Sequence, residues 1–116
     1  FFNALCADTY VQPHRHADPA KDETLVLLRG KLGAVIFDDA GQVVSAAVLL
    51  PGQTADVPHG TFHTWLALED GTIFFEAKAG PYVPLAPEEK ASFAPAEGDP
   101  RAPEYLAWLQ SLCTVR

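Results

Sequence analysis

Residues Gln12 to Gly30 read QPHRHADPAKDETLVLLRG: two histidines one residue apart, a turn-forming stretch, a glutamate, then an apolar run that closes on glycine. The choice between strand and helix here decides the fold. In an extended chain, side chains alternate faces, so His14 and His16 point the same way and can share one metal ion. On a helix, residues two apart diverge by about 200° and could not. Pro13 before His14 and the loop-forming ADPAKD after His16 argue for the extended form.

Outward from this stretch, short β-rich segments recur between turn signals, the pattern of an all-β sandwich or barrel. The expected strands are Leu5 to Gln12, Thr24 to Arg29, Leu32 to Phe37, Val43 to Leu50, Ala55 to Val57, His63 to Leu68 and Thr72 to Lys78. DDAG at Asp38 to Gly41 and EDG at Glu69 to Gly71 supply residues that tolerate positive φ in hairpins. After Gly80 the texture changes to a proline-rich arm without alternation, expected to pack back on the barrel through Tyr82, Val83 and Phe93. From Ala102, Tyr105, Leu106, Leu109, Leu112 and Cys113 fall at helical spacing, with Pro103 suited to a first turn. Residues 1–80 are therefore expected to form the barrel core, and 81–116 an arm and helix packed on the same domain.

Composition narrows the function classes. The 116 residues suffice for one domain with one core. A formal charge of −7 with scattered Lys and Arg disfavours nucleic acid or an anionic membrane as partner. No apolar run approaches the roughly 18 to 20 residues that a membrane span needs. A soluble, cytoplasmic protein is expected. The chain opens on Phe1, so residues are expected upstream of it. Cys6 and Cys113 fit no metal or redox spacing. A disulfide between them is one reading, and two buried thiols in a reducing cytoplasm is the preferred one.

His14 and His16 end one expected strand, Glu23 begins the next and His63 begins a later one. Three neutral imidazoles and a carboxylate suit one divalent transition metal, Fe, Mn, Ni, Cu or Zn, and leave one or two positions for water or substrate. Asp22 is the alternative to Glu23, because the two point opposite ways in an extended chain. His59 is expected exposed in its Pro-x-Gly turn. Glu76, Lys78 and Phe74 share one face of the last strand, which is either the interior, where a charged pair is costly unless functional, or the solvent face. Glu76 is the candidate catalytic residue, and Tyr10, Phe74 and Lys78 the candidate pocket residues.

GQTADVPHGTFH, Gly52 to His63, resembles the second motif of the cupin superfamily, G-x5-P-x-G-x2-H, and matches it through the histidine. The first motif, G-x5-H-x-H, three or four residues, then E-x6-G, is matched by His14, His16, Glu23 and Gly30. Six residues rather than three or four separate His16 from Glu23, so a longer loop must return the carboxylate to the site. Asp8 stands where the leading glycine falls, and Ala67 where relatives often carry asparagine. PHRH, KDE, RGKLGAVIFDDAG, FFEAKAGPY and FAPAEGD extend the resemblance to the WbuC-type cupin metalloproteins, encoded near O-antigen-type polysaccharide gene clusters.

That resemblance implies an all-β cupin double-stranded β-helix, a jelly-roll barrel with a short C-terminal α-helix, and a bound metal. The leading expectation is a small metalloenzyme, an isomerase or oxygenase acting on a small polar or sugar-derived molecule, linked to surface polysaccharide metabolism. The alternatives are a metal-dependent binding module for a small-molecule ligand and a metal-independent cupin sugar epimerase, for which Tyr10 and Tyr82 are the candidate acids. A homodimer is expected, with the apolar helix from Glu104 to Cys113 offering surface to bury.

Overall fold

The computed structural model describes residues 2–81 and 83–114; Tyr82, an expected packing residue and candidate acid, lies outside the described residues. The chain forms β1 (Phe2–Leu5), β2 (Glu23–Arg29), β3 (Leu32–Phe37), β4 (Val43–Leu49), β5 (Thr54–Val57), β6 (Phe62–Ala67), β7 (Thr72–Lys78), a 3-10 turn (Pro87–Glu89) and α1 (Ala102–Thr114). Two antiparallel sheets result, ordered β1-β7-β2-β5 and β4-β3-β6. Such a pair of facing sheets with one terminal helix is a jelly roll of the cupin kind.

Alternation along the strands builds two apolar layers. Leu25, Leu27, Leu32, Ala34, Leu49, Val57, Trp65 and Phe74, drawn from both sheets, fill the space between them. Val35, Phe37, Phe62 and Leu66, on the opposite face of β3 and β6, pack with Ala91 of the arm and with Leu106, Leu109 and Cys113 of α1. Gly30 joins β2 to β3 at φ +88°, and a Cβ there would lie 2.5 Å from Thr72 Oγ1 and 2.8 Å from its Cα. Only glycine satisfies both the backbone angle and the space.

All but one of the expected strands match the observed ones to within a residue at each end, and Leu32 to Phe37 and Thr72 to Lys78 match outright. The exception is Leu5 to Gln12, of which only Leu5 is strand. Cys6 N–H donates to Thr9 Oγ1 at 3.1 Å and Thr9 N–H returns to Cys6 O at 3.0 Å. This local turn ends β1. The turn also leaves Cys6 exposed while Cys113 is buried, so there is neither a disulfide between them nor a pair of buried thiols. Within the arm, Phe93 meets the rings of Phe37 and Phe62 as expected, with centroids at 5.3 Å in both cases. Val83 instead stays 61% exposed, and fully buried Ala91 is the residue that seats the arm.

Candidate metal centre

Residues 12–17 reach the site by adding a short strand-like step to β6. His14 N–H donates to His63 O at 3.0 Å and His63 N–H to His14 O at 2.9 Å. The arm extends the step on its other side: Arg15 N–H donates to Glu89 O and Ala91 N–H to Pro13 O, both at 2.9 Å. Glu89 Oε2 also accepts Ala17 N–H at 2.8 Å. His14 and His16 are thereby held with ring centroids 5.3 Å apart. The long loop returns through a turn at Asp18, which accepts Lys21 N–H at its carbonyl and Ala20 N–H at its carboxylate, each at 2.9 Å. Glu23 then enters β2 facing inward, 1% exposed.

His63 is delivered by the PHG turn, where Gly60 adopts φ +77° and its N–H donates to His16 O at 2.7 Å. Asp22 faces outward and ties this turn down: its Oδ1 accepts both the backbone N–H and the Nδ1–H of exposed His59 at 2.9 Å. Of the adjacent acids, the structure brings Glu23 to the histidines.

One ligand atom from each of His14, His16, Glu23 and His63 lies within 4.8 Å of the others. Donor atoms about 2.0 to 2.2 Å from a shared ion can stand at most about 4.4 Å apart, so a contraction of tenths of an ångström suffices. His14 Nδ1–H donates to Gln12 O and His63 Nδ1–H to Thr61 O, each at 2.9 Å. A carbonyl can only accept, so these bonds fix the proton on Nδ1 and leave the Nε2 lone pairs for the cluster. His63 Nε2 then stands 3.1 Å and His16 Nε2 3.3 Å from the same oxygen, Glu23 Oε1. A cation among them, whether a proton or a metal ion, would reconcile these donors with the carboxylate at that range. His16 Nε2 and Glu23 Oε2 are buried and make no hydrogen bond, as suits atoms reserved for coordination.

Burial, reinforced by the positive potential of His63, lowers His14 from 6.5 to about 4, which favours its ligating form. At Glu23 burial acts upward, but the adjoining His16 and His63 rings and the charge of Lys78 outweigh it and hold the carboxyl low. As metal ligands the imidazoles would act in their neutral form beside an anionic carboxylate. The donor set fits one divalent transition ion.

The last strand settles the two readings of its charged face: Phe74 and Glu76 are buried and Lys78 is partly buried, so this face is the interior. Glu76 Oε1 accepts Asn3 Nδ2–H at 2.9 Å, and Lys78 pairs in register with Glu23. Tyr10 lies elsewhere than expected. Its hydroxyl donates to Pro95 O at 2.7 Å and its ring meets Tyr105 of α1 edge-on, because Tyr10 to Pro13 form no strand and the alternation that would have set it beside His14 does not run. Burial first, then Tyr105, Glu97 and Asp99, push its phenol upward. Two small clefts reach the ligands: about 440 Å³ at His14, bounded by Gln12, Leu85, Lys90 and Glu97, and about 210 Å³ at Glu23, bounded by Asp22 and Asp56.

Sequence reasoning missed Trp65 and Glu89. Trp65 follows His63 by two residues and could have been placed on its face by strand alternation, its ring centroid 5.5 Å away. Glu89 gave no signal, since its bond to Ala17 spans 72 residues.

Comparison with known proteins agrees with this fold. Residues 1–49 match a family model described as a domain of unknown function (DUF6016). No curated protein matches. Among solved structures, Bacillus subtilis oxalate decarboxylase, in a study of its Mn(II) centres, is similar at 20% identity and TM-score 0.56 over 84% of this chain and 22% of that one. Drosophila melanogaster CENP-C bound to CAL1 is similar at 11% identity and TM-score 0.57, over 67% of this chain and 63% of that one. The coconut allergen cocosin is similar at 20% identity and TM-score 0.54, over 66% of this chain and 20% of that one. The chain thus spans about a fifth of the decarboxylase and cocosin chains. The shared property is the cupin fold.

Proposed function

We propose that this cupin-fold chain binds one divalent transition metal through His14, His16, Glu23 and His63 and is a small metalloenzyme for a small polar or sugar-derived molecule. The observation that carries the reading is the convergence of two tautomer-fixed imidazoles and a third on one buried carboxylate, with donor atoms within 4.8 Å. A bound divalent ion would supply a Lewis acid able to polarise a carbonyl or acidify a water. His63 and Glu23 anchor from opposite sheets, His14 and His16 close the set from the loop, and the clefts admit only a small ligand. Glu76, buried on the inner face beside Phe74, is the proposed proton carrier, and Lys78 the cation that steadies Glu23.

The likeness to WbuC-type proteins supports a bound metal and a link to polysaccharide metabolism, in the cytoplasm, while isomerisation or oxygenation is proposed because both use a donor set of this type. Among the described residues no helix is long and apolar enough to cross a membrane. A homodimer belongs to the same reading, but α1 spends its apolar stripe, Leu106, Leu109 and Cys113, on its own barrel. The outer face of the four-stranded sheet, where Phe2 and Phe75 meet edge-on at 5.1 Å, is the proposed pairing surface instead.

Elemental analysis of purified protein, followed by turnover across sugar and keto-acid panels, tests the reading. One ion per chain with turnover is expected. Binding without turnover would make the chain a binding module, and turnover without metal would overturn the assignment.

A further inference from the structure

Among the described residues three buried side-chain polar atoms make no hydrogen bond: His16 Nε2, Glu23 Oε2 and Trp65 Nε1. The first two belong to the metal cluster. The third cannot, because an indole nitrogen is a donor only. Trp65 is 4% exposed, shares the inward face of β6 with His63, and meets that ring at 5.5 Å and an interplanar angle of 63°. Phe74 closes on it at 6.4 Å. A buried indole N–H is costly to leave unpaired and ordinarily has an acceptor. The aromatic and apolar side chains of the inter-sheet layer around it offer none.

We propose that Trp65 is a specificity-determining residue of the metal centre: its indole N–H donates to an oxygen of the small ligand carried on the ion, which selects carboxylates and other oxygen acceptors. The inference rests on the metal reading and deepens it by naming a ligand class. A donor that cannot accept gives nothing to a ligand whose free end is itself an N–H. Formate and imidazole separate these cases, since formate presents a free oxygen and ring-bound imidazole presents an N–H.

The test uses the full chain loaded with Zn(II), which is diamagnetic. The two tryptophans give two indole N–H signals in a nitrogen-15 NMR spectrum, and W108F, on the exposed face of α1, identifies which belongs to Trp65. Adding formate should move the Trp65 signal downfield, as a new hydrogen bond does, while adding imidazole should not. W65F should keep its zinc and its imidazole affinity and lose about tenfold in formate affinity, the scale of a hydrogen bond to a charged acceptor. An indole signal indifferent to bound formate would overturn the proposal, and that measurement needs no variant at position 65. Equal formate affinity in W65F, or loss of its zinc, would overturn it as well while leaving the metal reading standing. A wild-type chain that takes up no zinc would remove the metal reading and this proposal together.

Discussion

Both faces of β6 are buried, yet they ask different things of their side chains. On one, Phe62 and Leu66 pack with Leu106, Leu109 and Cys113 of the helix, a layer with no titratable carboxylate or imidazole in it. On the other, His63 stands beside Trp65, within reach of the buried Glu23 and across from the inward face of β7 that carries Glu76. The first layer gains free energy from burial alone at roughly 25 cal/mol per Å² of apolar surface. The second gives up part of that gain to desolvate polar groups, and recovers it only through pairing or a bound cation. One six-residue strand thus carries a stability face and a chemistry face, kept apart by the period of two.

The two faces should come apart under mutation. His63→Ala removes one of three imidazoles from the cluster, so metal content should fall close to zero while the far-ultraviolet circular dichroism keeps its β signature. Full metal retention would sink the ligand assignment, and loss of β structure would merge the two faces into one. Leu109→Ala does the reverse: it should cost about 2 to 5 kcal/mol in denaturant unfolding, as large-to-small changes in a core do, with metal stoichiometry unchanged. A Leu109 variant that sheds its metal under native conditions would show that the helix face supports the site directly.

Glu23→Gln keeps the size and removes the charge, which should weaken metal affinity by about 10- to 100-fold, the range seen when the surroundings of a metal ligand are perturbed. Competitive titration against a chelator reads this, and an unchanged affinity would place the carboxylate outside the coordination sphere. The smallest effect is a pH response of the metal-free protein. His14 is held near 4 when folded against 6.5 ordinarily, so between these values the unfolded chain binds a proton that the folded chain does not. Stability is therefore intact above 6.5 and lost as pH falls through that window. Glu23, also held low, adds a loss below its ordinary 4.5. Unfolding curves above, within and below the window should show this decline, and a stability that rises on acidification would contradict the burial of neutral His14.

The chemistry face was more legible than its supports. Alternation and two spaced motifs located His14, His16, Glu23 and His63, because each lies on or beside a regular extended segment where position along the chain fixes direction. The same rule misplaced Tyr10, since nothing in LCADTYVQ announces that the strand stops at Leu5 and that Tyr10 to Gln12 run without strand pairing. Val83 and Ala91 show a different limit. A proline-rich arm has no period, so which of its residues seats depends on backbone bonds to Pro13 and Arg15, more than seventy positions away. Glu76 and Lys78 were legible as a pair on one face, and only the pairing of β7 between β1 and β2 says that the face is inward.

The step at His14 has a further consequence in time. His14 lies between His63 on one side and Lys90 on the other, so its final backbone pairing waits for a segment made long after the histidine itself. On the ribosome, the strands up to Lys78 can pair before Pro87 to Ala91 has left the exit tunnel, but the edge that fixes His14 stays open until then. Capture of the proposed ion would consequently be a late event in the life of the nascent chain. A growing polypeptide would hold its ion loosely, if at all, until the arm that follows the barrel has swung back and locked.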